Sequence, residues 1–441
     1  MANSANAAMS IRFRVRVICE NVTHMKRLAY LKYLILIVAA ACLIAGEPAV
    51  AQEAADQGAY EVDTDEDDTA DIDTASTVDT VSDDSRRFSL NGDFRPLLNY
   101  ADRDNRDGTN VTNTSGQSRI RLKGYATPFE KVQFGARIAG KCSTNDCSAD
   151  WVWESATPGT NGLQEGQFTF DELYLHFFRR ELYNLTVGRQ QTRFVLRGGV
   201  FSRSLDRNDS NNANVTWTDG FHFTFRRLAG WQGHVIVQHN AADGTGSIRR
   251  GPLDFSDSSA RETYFIGLEK TEPLGPIVQR SIGISYLPKS LLKDTTLDGR
   301  REDYLGYVVR LAARWPQRSE GIRLRVGMEL GYAPETHVFN ATVSDEEADG
   351  LAWNVVASLM DFIPGHNIGI NYGQTGAGWL LSPNFRNNEE SLELRYVWRP
   401  KNFPTIDARI RWREDIEQEI ASLRKREVFD AFLRVTWQFD L

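Results

Sequence analysis

Apolar and polar residues alternate along most of the chain from Phe88 to Leu441. In segment 322–332 one parity carries the apolar side chains and the other carries the charges: Ile322, Leu324, Val326, Met328, Leu330 and Tyr332 against Arg323, Arg325 and Glu329. Successive side chains of a strand point to opposite faces, so the pattern predicts strands with one apolar and one polar face. A globular protein can bury one such face but not sixteen, whereas a transmembrane β-barrel turns them all toward lipid.

The pattern predicts sixteen strands, several of them near the 9–11 residues that a tilted membrane strand needs. They lie at 88–100, 117–127, 131–140, 167–178, 182–190, 218–227, 231–239, 261–270, 277–286, 302–315, 322–333, 350–361, 366–373, 389–399, 405–413 and 429–441. Short turns alternate with long polar loops between them. We therefore predict an all-β fold, a transmembrane up-and-down antiparallel β-barrel with both termini in the periplasm.

Aromatic residues stand near the strand ends on the apolar face: Tyr286, Trp315, Tyr332, Trp398, Trp412 and Trp437. Aromatic girdles at both membrane interfaces are typical of transmembrane barrels. A soluble β-sandwich is the alternative, but it predicts neither these girdles nor the alternation of short and long connections.

The N-terminus has the pattern of a secretory signal peptide. A basic pair at 26–27 precedes an apolar run at 31–44, and an Ala-x-Ala motif ends at Ala51. A transmembrane anchor is the alternative, although the run is shorter than the ~20 apolar residues that span a bilayer. We assign 1–51 to the signal peptide, with translation beginning at Met25, and expect export through the secretory pathway.

Charge divides the chain unevenly. Residues 1–52 carry a net charge of +4, and residues 53–84 carry 13 acidic and no basic residues. Because the formal net charge of the whole chain is −8, the remaining residues carry a net charge of +1. The acidic segment cannot bury enough apolar surface to fold. We predict a disordered periplasmic leader over 52–87, acting as a solvated spacer or binding cations or cell-wall partners, and a barrel over 88–441.

Two cysteines remain after residue 51, Cys142 and Cys147, in a polar loop. In an oxidising periplasm this pair predicts a small disulfide. Two cysteines alone make a poor metal site, and the sequence has no zinc or nucleotide-binding motif. We expect no metal and no cofactor.

The polar parity of the predicted strands is net basic. If the apolar parity faces lipid, the pore wall contains Arg119, Arg121, Lys123, Arg323, Arg325, Arg395, Arg399, Arg409, Arg411 and Arg413. Arginine is always charged and offers several donors to carboxylate or phosphate, so this wall predicts a preference for anions. The alternative is that these side chains pair with acidic residues and stiffen the barrel.

Loop 191–217 is the longest connection and has its own apolar stretch, 194–196 followed by 198–201. A loop folded back against the barrel wall explains this stretch better than a loop exposed to water. We predict that it narrows the pore and that its basic residues form the electrostatic filter: Arg193, Arg197, Arg203 and Arg207. A surface loop with an isolated apolar patch is the alternative.

Two short segments carry a family resemblance. Asp171-Glu-Leu-Tyr-Leu175 and Leu185-Thr-Val-Gly-Arg-Gln190, which leads into the third long loop, resemble the bacterial outer-membrane porin superfamily, especially its phosphate-selective-porin-like and alginate-export-like members. The resemblance implies a barrel of 16 or 18 strands, passive diffusion of small hydrophilic solutes, frequent trimers, and loop 191–217 as the constriction, entered through Gly188, Arg189 and Gln190. Porins usually end in an aromatic residue, whereas Phe439 is followed here by two more residues.

We therefore predict a porin of the bacterial outer membrane that leans toward anions and is not an enzyme. Its expected partners are membrane lipid, lipopolysaccharide, the barrel-assembly machinery, small solutes and, as a homotrimer, copies of itself; we expect no nucleic acid. An anionic polysaccharide export channel remains an alternative. An outer-membrane barrel enzyme, a lipase or protease, is a second alternative, with His234 and His239 near Asp243 as a conceivable site, although ordinary lumen or rim histidines explain these residues better.

Overall fold

The computed structural model describes residues 88–153, 163–179, 182–206, 215, 217–228, 230–240, 261–292, 301–316, 321–334, 349–382, 384–401, 403–420 and 422–440. The predicted signal peptide at 1–51, the acidic leader at 52–87 and Arg207 lie outside the described residues.

Sixteen strands form the wall of a closed antiparallel barrel. They are β1 Phe88–Asp104, β2 Asn110–Phe129, β3 Val132–Ser143, β5 Gln167–Arg179, β6 Tyr183–Gln190, β9 Thr218–Leu228, β10 Trp231–Asn240, β11 Arg261–Lys270, β12 Ile277–Leu292, β13 Arg301–Trp315, β14 Arg323–Tyr332, β15 Leu351–Ile363, β16 His366–Thr375, β17 Glu389–Trp398, β18 Thr405–Asp415 and β19 Glu427–Asp440. Three two-residue strands accompany them: β4 Asp150–Trp151, β7 Leu196–Arg197 and β8 Ser202–Arg203.

The first strand closes the barrel because it pairs on both sides. Asn91 lies opposite Asp440 of β19, and Asp104 lies opposite Asn110 of β2. Each of the other wall strands pairs antiparallel with its neighbours in chain order. The predicted all-β fold with 16 strands is thereby confirmed, and the alternative of 18 strands is wrong. Within the described part of the chain no helix is long and apolar enough to cross a membrane.

All sixteen predicted strands are present, but several run further than expected. β2 begins at Asn110 rather than at residue 117, and β12 ends at Leu292 rather than at residue 286. These extensions prolong the wall at the long-loop end. Residues 110–115 are polar apart from Val111, and so the alternation of apolar and polar residues does not mark them as strand.

The two faces of the wall are those that the alternation predicts. In β14 the side chains of Arg323, Arg325 and Glu329 are buried inside the barrel, whereas Leu324 and Tyr332 are exposed on its outside. Outward aromatic residues stand at both ends of the wall. Tyr286 lies at the long-loop end, and Trp315 and Trp437 lie at the short-turn end, as the predicted girdles require.

Two of the long connections turn back into the barrel and fill part of its lumen. Residues 191–206 and residues 376–388 contribute buried apolar side chains that pack against the inner wall: Leu196, Val200, Phe201 and Leu205 from the first, and Trp379, Leu381 and Phe385 from the second. Two clusters of buried apolar side chains therefore lie inside the barrel, between loop and wall.

Candidate functional site

Residues 191–206 form an inward loop that lies on the inner wall of the barrel. Its tip is a small hairpin in which Leu196 pairs with Arg203. The tip places Leu196, Val200 and Phe201 in one buried cluster with inward residues of β13, β15 and β17: Ala312, Val356, Met360 and Val397. The apolar stretch of the loop therefore packs against the wall.

Polar contacts fix the backbone of the inward loop to two strands. Gln279 of β12 accepts a hydrogen bond from the Arg197 amide at 2.8 Å and donates one to the Val195 carbonyl at 2.8 Å. On β15, the Ser358 hydroxyl donates to the Gly198 carbonyl at 2.6 Å. Buried backbone groups need such partners, and the wall supplies them.

The tip approaches the wall so closely that it leaves no room for side chains. A Cβ atom on Gly199, whose φ is +79°, would lie 2.6 Å from the Ser358 Cβ. Glycine allows this left-handed backbone at low cost. From the wall side, a Cβ atom on Gly369 of β16 would lie 2.6 Å from a Val200 methyl group.

A buried charge triad holds the far end of the inward loop. Arg310 of β13 donates from Nη2 to Asp206 Oδ2 at 2.6 Å and from Nε to Glu329 Oε1 at 2.5 Å. All three side chains are buried inside the barrel. Removing one member of such a group leaves uncompensated charge, which costs about 3–5 kcal/mol.

The second inward connection, residues 376–388, was not predicted. Trp379 donates from its indole Nε1 to the Leu205 carbonyl at 2.9 Å, and Asn384 donates to the Ser204 carbonyl at 3.2 Å. Tyr304 of β13 donates to the Gly378 carbonyl at 3.1 Å. A signal was available, because Trp379-Leu380-Leu381 is an apolar stretch in a loop, the same feature that identified loop 191–217.

The four arginines predicted as the filter have different surroundings. Arg193 is half-buried and donates to the Ser202 hydroxyl at 3.2 Å. Arg197 has a side chain that is 39% exposed and lies 3.8 Å from Glu269. Arg203 does not reach the opening, because its buried guanidinium pairs with Glu393 of β17. Arg207 is outside the described residues.

Of the ten basic residues predicted on the pore wall, six are buried, five of them in ion pairs. Lys123 lies 2.8 Å from Glu172, and Arg121 lies 3.0 Å from Asp171, both on β5. A bulge at Arg137 makes this possible, since it turns two consecutive carboxylates of β5 toward the interior. Arg119, Arg323 and Arg395 are buried in ion pairs as well, and Arg325 is buried.

The remaining basic residues form a partly open row on β18. The side chains of Arg409, Arg411 and Arg413 are 15–16% exposed, more than the paired arginines of β2. All three share one carboxylate, Asp430 of β19, at 2.5, 3.0 and 3.1 Å. Arg399 of the same inner surface is also half-buried. We call Arg409, Arg411 and Arg413 the arginine row.

Positive charge exceeds negative charge around the arginine row. Among the described residues, the ion pairs of this region join seven guanidinium groups to four carboxylates: Arg203, Arg395, Arg409, Arg411, Arg413, Arg426 and Arg434 with Glu389, Glu393, Asp407 and Asp430. At the outer end, burial and then repulsion from Arg386 lower the pKa of Arg426 to about 10, so this side chain stays charged at neutral pH. The inner surface is therefore electropositive here.

The histidines weighed for an enzyme do not come together. His234 lies inside the wall, where its Nδ1 is 3.0 Å from His222 Nε2. His239 instead lies 3.0 Å from Glu262, and Asp243 is outside the described residues. In the described ranges, no group of three or more His, Cys, Asp or Glu residues could hold a metal ion. Cys142 and Cys147 form a disulfide at the end of β3, with Cα atoms 4.6 Å apart.

Comparisons with known proteins bear on the fold. No protein-family model and no curated protein matches the chain. Among solved structures, OprB of Pseudomonas putida is similar over 80% of this chain and 94% of its own, with 10% identity and a TM-score of 0.50. An anion-selective porin from Comamonas acidovorans matches at 10% identity over 79% and 99% of the two chains (TM-score 0.47), and Salmonella typhi OmpF at 14% over 80% and 97% (TM-score 0.46).

The likeness to OprB shows that the chain has the fold of bacterial outer-membrane porins, the superfamily that segments 171–175 and 185–190 resemble. Neither resembled subgroup, phosphate-selective or alginate-export, is distinguished at this level of identity. The closed 16-strand wall with an apolar outer face fits an outer-membrane location.

Proposed function

We propose that the protein is a porin of the bacterial outer membrane that lets small hydrophilic solutes diffuse passively and favours anions. The observation that carries the proposal is the arginine row, in which three partly exposed arginines share the carboxylate of Asp430 inside a closed barrel, within a region where seven guanidinium groups pair with four carboxylates. Four carboxylates cannot neutralise seven guanidinium groups, and the excess charge attracts anions into the lumen.

The row supplies a path as well as a charge. Alternate residues of one strand lie about 7 Å apart on the same face. That spacing is close to the Debye length of ~8 Å at physiological ionic strength. An anion that moves away from Arg413 is therefore attracted by Arg411 before the attraction of Arg413 has been screened. Each arginine also presents several N–H donors that replace the water lost from a carboxylate or phosphate group.

Selection by size is assigned to the inward loop. Residues 191–206 lie within the lumen and are fixed at Gln279, Ser358 and Arg310, so they occupy space that a solute would otherwise use. Residues 376–388 add to this obstruction through Trp379. We infer that these two loops together set the size limit, with Arg193 and Arg197 on their open side.

An outer-membrane porin implies particular surroundings. The apolar outer face would contact membrane lipid and the outer rim would contact lipopolysaccharide, after insertion by the barrel-assembly machinery. A homotrimer is the assembly that the porin resemblance suggests. The signal peptide at 1–51 and the acidic leader at 52–87 remain predictions of the sequence.

The proposal is tested by the ion preference of the wild-type protein. The purified mature chain is inserted into a planar lipid bilayer with a tenfold KCl gradient across it. Stepwise conductance with a zero-current potential of the sign set by chloride is expected. A potential of the opposite sign would overturn the anion preference, and the absence of conductance would favour an exporter or an enzyme.

A further inference from the structure

Arg203 joins the inward loop to the electropositive side of the barrel through an ion pair. Its Nη2 donates to Glu393 Oε2, and both side chains are almost fully enclosed, at 8% and 1% exposure. The Arg203 guanidinium also lies over the ring of Phe201, 5.4 Å from its centroid. The Arg203 side chain is therefore about half as exposed as the side chains of the arginine row, which are 15–16% exposed.

Glu393 lies next to the arginine row. In the register of β17 and β18 it stands directly opposite Arg411, and Arg395 stands opposite Arg409. Facing side chains of paired strands have Cβ atoms about 4.5–5.5 Å apart. Arg203, Arg409, Arg411 and Arg395 all act electrostatically on the Glu393 carboxylate. Arg203 therefore competes with the row for this carboxylate.

We propose that Arg203 determines ion selectivity indirectly, by engaging Glu393 and so keeping this carboxylate from neutralising the arginine row. The proposal rests on the proposed function and adds a positioning role to it. Arg203 is in this account a positioning residue, and Glu393 is the group whose charge it controls.

The consequence of losing Arg203 follows from the geometry. A buried carboxylate without a partner is costly, so Glu393 would turn to the nearest cations, which are Arg411 and Arg409. The row shares Asp430 and, through Arg413, also contacts Glu389 at 3.7 Å, a carboxylate that Arg426 engages as well. If Glu393 turned fully toward the row, the positive excess of the row would fall by one charge.

Four proteins test the proposal: the wild type, Arg203→Gln, Glu393→Gln and the double variant. Their chloride-to-potassium permeability ratios are measured in planar bilayers under a KCl gradient. We expect Arg203→Gln to lower the ratio several-fold in the wild-type background. In the Glu393→Gln background the same substitution is expected to lower the ratio no more than Arg197→Gln does, because one positive charge is lost but no carboxylate remains to be released.

Three other results would contradict the proposal. If Arg203 contacted the permeant anion itself, its removal would lower the ratio equally in both backgrounds. If the ion pair merely held the loop in place, Glu393→Gln would lower the ratio as much as Arg203→Gln does. A wild-type barrel without anion preference would overturn the proposed function as well. The permeability ratio of the wild type alone reveals this result and so separates it from the two preceding ones.

Arg197→Gln provides the matched control. It removes one positive charge from the same hairpin, but Arg197 lies near Glu269 rather than Glu393. Its effect on the permeability ratio should be the same whether or not Glu393 is present. If the effects of Arg197→Gln and Arg203→Gln on the permeability ratio both depended on Glu393, the ratio would respond only to charge in general. That result would overturn the specific role of Arg203.

Discussion

The indole Nε1 of Trp379 donates a hydrogen bond to the Leu205 carbonyl oxygen, 2.9 Å away, and so joins two loops inside one barrel. Leu205 belongs to the inward loop of residues 191–206, and Trp379 belongs to the second inward connection, residues 376–388. Both side chains are buried in a single apolar cluster with Tyr304 of the wall. The obstruction in the lumen is therefore a joint structure of two loops and the wall.

Replacing Trp379 should loosen this joint structure. Trp379→Phe removes a hydrogen bond worth about 1 kcal/mol, and Trp379→Ala also removes packing worth about 3–5 kcal/mol. We expect single-channel conductance to rise slightly in the first variant, and to rise further with added current noise in the second. The control is Trp437→Phe on the outer face, which should leave conductance unchanged. Equal conductance in Trp379→Ala and wild type would show that the loops do not limit flux.

Gly369 tests the seating of the loop tip from the wall side. A Cβ atom at this position would lie 2.6 Å from a Val200 methyl and 2.7 Å from the Ser358 hydroxyl oxygen. Gly369→Ala should displace the tip toward the centre of the lumen at a cost of about 1–3 kcal/mol. We expect lower single-channel conductance, measured in planar bilayers. The neighbouring Ile370→Ala changes only the outer face and should conduct as the wild type does.

Arg310 carries the buried charge at the far end of the inward loop. Arg310→Met leaves Asp206 and Glu329 facing each other without their cation, and should lower the free energy of unfolding by about 3–5 kcal/mol. The measurement is urea unfolding in lipid vesicles, followed by tryptophan fluorescence. Leu311→Met, the next residue on the outer face, conserves volume and should cost less than about 1.5 kcal/mol. Equal costs for the two variants would contradict a stabilising triad.

The barrel itself could be predicted from the sequence because its strands obey one rule throughout. Lipid and lumen impose opposite demands on successive residues, and β14, β17 and β18 satisfy them almost without exception. The extension of β2 through residues 110–115 could not be predicted in this way, since the end of a strand beyond the membrane has no apolar face. The alternating pattern therefore marks the membrane-spanning part of a strand better than its whole length.

The candidate site could be predicted only in part. The sequence identified which basic residues project inward, but their availability depends on register and on contacts between distant segments. Arg121 is neutralised because a bulge turns Asp171 inward, and Arg203 is neutralised because the loop tip reaches Glu393. Neither contact has a signature in a single sequence. The row on β18, where three arginines share Asp430, lies in a region whose described ion pairs leave an excess of positive charge, and its side chains stay partly exposed.

The most direct test of the central claim is to neutralise that row. A protein combining Arg409→Gln, Arg411→Gln and Arg413→Gln is compared with one carrying Lys at the same positions, which keeps the charge but loses the fork of donors. In planar bilayers under a KCl gradient, the glutamine protein should lose its preference for chloride, while the lysine protein should keep the sign of the wild-type potential. An unchanged chloride preference in the glutamine protein would contradict the account.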